Sequence, residues 1–205
     1  MNAPSPDDLS RLRAIAEECR RTPLLGGWHL ILWGCAMSLA LLIDWAVLRR
    51  ILPLPGEALA ISWFGIVAAA WAGSILLGRS KASEPGAFSV GNRVERAVWM
   101  TAGAFLFVLS AALVGRASLG GERADWSLLA IMSPAMFGAY AIALQASAVA
   151  GGTGARPFVV VSLAFAAATG FMIGDPNQSL LAAAGVALVS IPAGLRHLSA
   201  ARRAG

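Results

Sequence analysis

Apolar residues along this chain fall into six long stretches, and polar residues collect in the segments between them. The stretches are Leu24–Leu48, Ala58–Leu77, Ala97–Gly115, Trp126–Ala150, Pro157–Ile173 and Ser179–Leu195. A helix needs about 17–25 apolar residues to cross the hydrocarbon core of a bilayer. We therefore predict an all-α polytopic membrane protein with a bundle of six transmembrane helices. The last stretch, which is short and contains Pro192, is the faintest of the six.

Composition and charge restrict the class of protein further. Hydrophobic residues make up 58% of the chain and charged residues only 13%, which is far from an ordinary soluble domain. The net charge of +5 comes from residues scattered through the termini and loops, whereas nucleic-acid binding needs a clustered basic face. We therefore expect the chain to lie in a lipid bilayer and not to bind nucleic acid.

The distribution of basic residues predicts the orientation in a bacterial inner membrane. Of the 16 Lys and Arg residues, only Arg49, Arg50, Arg116 and Arg123 fall on one side of the predicted spans. The other basic residues lie on the side that also carries both termini. The positive-inside rule therefore places the N- and C-termini in the cytoplasm.

The segment before the first span has the pattern of a short amphipathic helix over residues 6–22. Ser5 is placed as an N-cap, Pro6 at the first helical position, and Pro23 ends the helix. One narrow face is apolar, formed by Leu9, Leu12, Ile15, Ala16 and Cys19. This helix either lies on the membrane surface or the protein's own loops, or its apolar face docks a partner or a second copy of the chain.

These boundaries divide the chain into residues 1–23 as a cytoplasmic helix, 24–195 as the transmembrane domain and 196–205 as a basic cytoplasmic tail. The longest connection is Gly78–Arg96, which is rich in turn-forming residues. Within it, Asn92 and Glu95 have the spacing of a cap for the third span. Cys19 and Cys35 form no disulfide framework, because one is predicted in the cytoplasm and the other within the first span.

Small residues repeat every four positions in three of the predicted spans, a pattern typical of close helix packing in lipid. The stripes contain Gly65, Ala69 and Gly73 in the second span, Ala135, Ala139, Ala143 and Ser147 in the fourth, and Ala166, Gly170 and Gly174 in the fifth.

Polar residues within the spans are few, and they form the candidate intramembrane site. Asp44 lies about one turn inside the outer end of the first span, where a salt link to Arg49 or Arg50 is the simplest interpretation. Gln145 and Tyr140 lie in the fourth span beyond Pro134, which we interpret as a kink. If these side chains face one cavity, they line a path for an ion or a small solute.

Catalytic and cofactor motifs are absent from the sequence. No G-x-S-x-G run occurs, and no span has an acidic or basic residue near its middle. His29 and His197 are both predicted near the cytoplasmic face, where together they offer two ligands for a metal or a heme. No further ligand lies at a suitable spacing, so we expect no cofactor, no metal and no enzyme activity.

The overall plan resembles a group of small uncharacterised six-span proteins of the bacterial inner membrane. The resemblance lies in an amphipathic lead, Asp8–Arg13, followed by the abrupt small-residue start of the first span, Leu24–Gly27. Such proteins are often encoded beside winged-helix regulators, which implies a sensing or partner role. The resemblance implies no functional residues.

The sequence is therefore consistent with two main functions, and an oxidoreductase subunit that holds heme at His29 and His197 is a third. The first is a non-enzymatic, membrane-embedded binding or sensory module, whose partner is a cytoplasmic or membrane protein or a second copy of the chain. The alternative is a small transporter or channel that uses Asp44, Gln145 and Tyr140.

Overall fold

The computed structural model describes residues 7, 10, 14, 24–54, 56–84, 86–119, 126–151 and 155–204. All regular structure in these residues is helical, which confirms the all-α prediction. The helices are α1 (Gly27–Leu48), α2 (Gly56–Lys81), α3 (Val90–Ser118), α4 (Met132–Gly151), α5 (Arg156–Phe171) and α6 (Gln178–Ala204). A 3₁₀-helix, Trp126–Ile131, leads directly into α4.

Five of the described helices, α1, α2, α3, α4 and α6, are long and apolar enough to cross a membrane. The sixth, α5, has 16 residues, or about 24 Å at 1.5 Å per residue, against a hydrocarbon core of about 30 Å. The prediction that the last span is the weakest was wrong. Instead, α6 runs for 27 residues through Pro192 and continues to Ala204, so the predicted basic tail extends the helix.

The connection between the second and third spans is shorter than its composition suggested. α2 continues to Lys81 and α3 already begins at Val90, so only residues 82–89 separate the two helices. Ser89 is the N-cap of α3, and its hydroxyl accepts a hydrogen bond from the Asn92 backbone N–H at 3.4 Å. Asn92 and Glu95 therefore lie inside α3 and do not cap it, contrary to the prediction.

Neighbouring helices in the bundle run antiparallel. α1 packs against both α2 and α6, α6 also packs against α5, and α4 lies between α5 and α3. Across α1 and α6, Gly27 contacts Gly194 near one end, and the Ser38 hydroxyl donates to the Ala183 carbonyl further along. The start of α1 and the end of α6 thus lie together, and we call this end of the bundle the terminal end. The other end, where α1 ends and α6 begins, is the opposite end.

The core lies where α1, α4 and α6 meet. Its largest members include Phe137 and Leu144 of α4 and Val186 of α6, all fully buried. α2 and α3 are peripheral, and the most apolar part of α3 contains no buried residue. Because lipid tails are as apolar as a protein core, contact with lipid costs apolar side chains little, and such exposure is expected of a membrane bundle.

Pro134 and Gln178 together organise the opposite end. Pro134 has no N–H, so it donates no hydrogen bond to the Ala130 carbonyl four residues earlier. The Gln178 side-chain amide donates to that carbonyl at 2.9 Å and also to the Thr169 carbonyl in the last turn of α5, at 2.9 Å. Gln178 is buried and thus links the 3₁₀-helix and the end of α5 to the start of α6.

Candidate functional site

The most unusual polar group in the described residues is a buried acid–base pair at the terminal end. Glu95, in the second turn of α3, and His197, near the end of α6, approach to 3.5 Å between Oε1 and Nδ1. Their side chains are only 5% and 1% exposed, respectively. A buried ionisable group is costly unless it has a partner, and here Glu95 and His197 are partners of each other.

The same carboxylate also holds the start of α1. The backbone N–H of Gly26 donates to Glu95 Oε2 at 3.2 Å, and the N–H of Leu25 donates to Asn92 Oδ1 at 2.8 Å. The first N–H groups of a helix have no partner within it and favour a negative charge nearby. Asn92 and Glu95 therefore cap α1 from a neighbouring helix, 67 and 69 residues away in the chain.

Glycines bring the backbones close enough for this arrangement. A Cβ added to Gly26 would lie 2.7 Å from the Glu95 carboxyl group, and one added to Gly27 would lie 2.8 Å from the Gly194 carbonyl oxygen. Conversely, a Cβ on Gly194 would lie 2.6 Å from the Gly27 carbonyl oxygen. A larger residue at Gly27 or Gly194 would push α1 and α6 apart, whereas one at Gly26 would displace the Glu95 carboxyl group from the start of α1.

The pair is incompletely satisfied by its surroundings. Apart from their 3.5 Å contact with each other, neither Glu95 Oε1 nor His197 Nδ1 has a hydrogen-bond partner in the described part of the chain, and His197 Nε2 has none there either. Buried polar atoms are rarely left in this way. Chemically, the pair can share one proton and can change its net charge, while Arg196 is an exposed cation next to it in the sequence.

The three residues of the predicted intramembrane site lie in three different surroundings. Asp44 accepts a hydrogen bond from the Ser179 hydroxyl at 2.5 Å at the opposite end, so its recorded partner is on α6 and not Arg49 or Arg50. Tyr140 is buried in the core with its ring edge-to-face against Trp99, at a centroid distance of 5.3 Å. Gln145 is exposed on the surface of α4, in a groove between α3 and α5.

The two histidines also have separate partners. The His29 ring nitrogen Nε2 lies 3.2 Å from the Ser74 carbonyl oxygen of α2, whereas His197 contacts Glu95. Within the described ranges, no group of three or more His, Cys, Asp or Glu side chains is arranged to hold a metal ion.

The predicted docking face of the N-terminal helix falls outside the described residues, since its members are Leu9, Leu12, Ile15, Ala16 and Cys19. The chain is described continuously again from Leu24, whose side chain is 2% exposed and packs against Gly151 at the end of α4.

Sequence reasoning missed the pairing of Glu95 with His197 and the role of Gln178. One signal for the first was available: Gly91, Asn92 and Glu95 recur at the spacing of one helix face, while Arg93 and Arg96 lie off it. All three residues of that face are buried. No such pattern marks Gln178, because its two acceptors come from distant segments.

In comparisons with family models, with curated proteins and with solved structures, nothing matches this chain.

Proposed function

We propose that this chain is a six-span protein of the bacterial cytoplasmic membrane, with both termini in the cytoplasm, that acts as a non-enzymatic binding and sensory module. Its docking surface consists of the N-terminal segment, residues 1–23, and the connection between α2 and α3, residues 82–89. The partner is a cytoplasmic or membrane protein, or a second copy of the chain.

Support for six spans comes from the antiparallel order of the helices. An even number of antiparallel helices returns the chain to the side from which it started, and α1 begins beside the end of α6. α5 then crosses with its 16 helical residues and the turn that follows them. The excess of Lys and Arg at the terminal end supports a cytoplasmic location for that end.

The observation that carries the docking surface is the attachment of Leu25 and Gly26 to Asn92 and Glu95. In the sequence, residues 1–23 join Leu24, directly before the two residues that make these bonds, and residues 82–89 lead into the helix that accepts them. The points at which these two segments join the bundle, Leu24 and the start of α3, are thus held together by hydrogen bonds. This connection between the two joining points is why we assign both segments to one docking surface.

Transport receives less support. Asp44, Tyr140 and Gln145 have different surroundings and line no common path in the described residues. We therefore base the proposal on the terminal end.

Affinity purification in mild detergent from the native cells, with mass spectrometry of the proteins that co-purify, tests the module. We expect a stoichiometric partner that is lost when residues 1–22 are deleted and weakened by Asn92→Ala, but retained in Asp44→Asn at the opposite end. Retention of the partner by the deletion variant would refute the docking surface. A homo-oligomer without another protein, unaffected by the deletion, would move the assignment to transport.

Cysteine labelling tests the orientation separately. In a variant without Cys19 and Cys35, single cysteines replace Ser83 at the terminal end and Leu119, which is 86% exposed, at the opposite end. A membrane-impermeant maleimide added to spheroplasts should label position 119 and not position 83. The reverse pattern would overturn the orientation.

A further inference from the structure

A groove on the membrane-facing surface contains an isolated polar group. Its floor is α4 and its walls are α3 and α5, with Val94, Ile142, Val149, Val159 and Leu163 among the lining residues. Its volume is about 710 Å³, within the range of sites that hold small molecules. The groove opens towards the surroundings and not into the core.

Gln145 lies about midway along the groove floor. The residues of α4 that line the groove cover one side of the helix from Ala141 to Ala150, and Gln145 falls midway along that length. Its side chain is exposed and makes no hydrogen bond within the described part of the chain. An amide at the edge of the hydrocarbon is more stable with a hydrogen-bond partner, so a molecule with a matching polar group would bind here favourably.

The depth of Gln145 indicates which group that is. It precedes Gly151, the last residue of α4, by about 9 Å at the helical rise. A bilayer is about 40–45 Å thick with its headgroups and about 30 Å without them, so each polar layer is about 5–8 Å thick. With the end of α4 at the aqueous surface, as the six-span arrangement proposes, Gln145 lies near the inner boundary of this layer, where the ester carbonyls of a glycerophospholipid lie.

A basic residue lies beyond the lining of the groove, one turn before its α5 residue Val159. Arg156 is the first residue of α5 and is exposed, and it falls in the same helical row as the groove residues Val159 and Leu163. A guanidinium binds phosphate through charge-assisted, often bidentate hydrogen bonds. One cation, one amide and an apolar channel thus follow each other from the headgroup level inwards.

We infer that this groove binds an anionic glycerophospholipid. Arg156 holds the phosphate, the Gln145 amide donates to an ester carbonyl, and one acyl chain lies in the groove against Val159 and Leu163. The inference rests on the membrane-spanning part of the proposed function and not on the partner role.

Native mass spectrometry of the purified protein, titrated with dioleoyl phosphatidylglycerol or with dioleoyl phosphatidylethanolamine, tests this inference. Wild type should bind the anionic lipid more tightly. Arg156→Gln should weaken that binding about tenfold and Gln145→Leu about threefold, as expected for losing a charged and a neutral hydrogen bond. Arg116→Gln, which removes a cation at the opposite end, is the matched control and should bind as wild type does.

A second variant tests the groove itself without removing a polar group. Leu163→Trp fills it and should abolish the preference for the anionic lipid, whereas Leu188→Trp, on an exposed position of α6, should not. Equal binding of both lipids, unchanged in Arg156→Gln and Leu163→Trp, would mean ordinary boundary lipid and overturn the inference. A dimer that is lost in Gln145→Leu and Leu163→Trp would overturn it in favour of a second copy of the chain.

Discussion

At both ends of the bundle, buried polar side chains hydrogen-bond to backbone groups of another segment, but the side chains differ in chemistry. At each end, these side chains come from a part of the chain that is distant in the sequence from the backbone groups they bind. At the opposite end, neutral Gln178 donates to two carbonyls, at 2.9 Å each. At the terminal end, Asn92 and ionisable Glu95 accept from two N–H groups, at 2.8 and 3.2 Å.

The two ends differ in the side-chain polar atoms that still lack a hydrogen-bond partner. The side-chain N–H groups of Gln178 both have acceptors, so a structural role accounts for them. Glu95 uses one oxygen for Gly26, and its other oxygen faces His197 at 3.5 Å with no further partner in the described residues. A helix cap does not need an ionisable pair, so the Glu95–His197 pair at the terminal end is the better candidate for a functional role.

The largest effect in this comparison is expected for Gln178→Leu. This change removes two hydrogen bonds, to the carbonyls of Ala130 and Thr169, at a buried side chain, which should cost about 3 kcal/mol of unfolding free energy. SDS titration of the protein in mixed micelles, followed by circular dichroism, measures it. Gln178→Glu should be at least as damaging, since a carboxylate facing two carbonyl oxygens supplies no donor unless it is protonated. A stable Gln178→Leu protein would contradict the role of this amide.

Gly194→Ala tests the close approach at the terminal end. The new Cβ would lie 2.6 Å from the Gly27 carbonyl oxygen, a backbone atom that moves only with its helix. We expect a loss of about 2 kcal/mol in the same titration. The control is Gly103→Ala on α3, where a Cβ meets nothing within 4 Å and stability should be unchanged or slightly higher. Equal stability of the two variants would show that α1 and α6 do not touch here.

A double-mutant cycle of Glu95→Ala and His197→Phe measures the pair itself. Glu95→Ala should cost about 1.5 kcal/mol, because the Gly26 N–H loses its acceptor. If the two side chains interact, the double variant will lose less than the sum of the single variants, with a coupling energy of at least about 0.5 kcal/mol. Glu95→Gln, which keeps an acceptor for Gly26 but removes the charge, separates capping from pairing. Strict additivity would argue against the pair.

Asp44→Asn should have the smallest effect. An asparagine side chain still offers an oxygen to the Ser179 hydroxyl, so we expect a change below about 0.5 kcal/mol. The unfolding titration again provides the measurement, and Ser179→Ala, which removes the donor, should cost more than Asp44→Asn. If Asp44→Asn were the more damaging change, the charge of Asp44 would matter, and the transport hypothesis would regain a residue.

Much of the fold follows from the apolar stretches, but the polar sites do not. Stretches of about 20 apolar residues predict helices because lipid offers no partner to an exposed backbone. The same reasoning misjudged the ends, since α2 and α3 extend beyond their apolar segments by using charged residues such as Lys81 and Glu95. Asn92 and Glu95 were interpreted as a local cap because a one-dimensional pattern shows only neighbours in sequence. Their acceptor atoms in fact serve Leu25 and Gly26.

The small-residue stripes show the same limit. They indicated close packing by the second, fourth and fifth spans, and Ala139, Ala143 and Ser147 of α4 are indeed buried. However, a Cβ on Gly65 of α2 would meet nothing within 4 Å, while the tight contact between Gly27 and Gly194 belongs to a pair of helices at the two ends of the chain. A stripe identifies a helix face that permits close approach, and it does not identify the partner.

The amino-acid sequence by itself thus determined the class of protein, the helical architecture and the approximate positions of the helices, because each depends on local hydrophobicity and on backbone hydrogen bonds within one segment. Only the tertiary structure decided that α1 lies against α6, that Glu95 meets His197, that Gln178 joins three helices, and that Gln145 faces outward while Tyr140 faces the core. These outcomes depend on contacts between residues far apart in the chain, for which hydrophobicity alone sets no preference inside a bilayer.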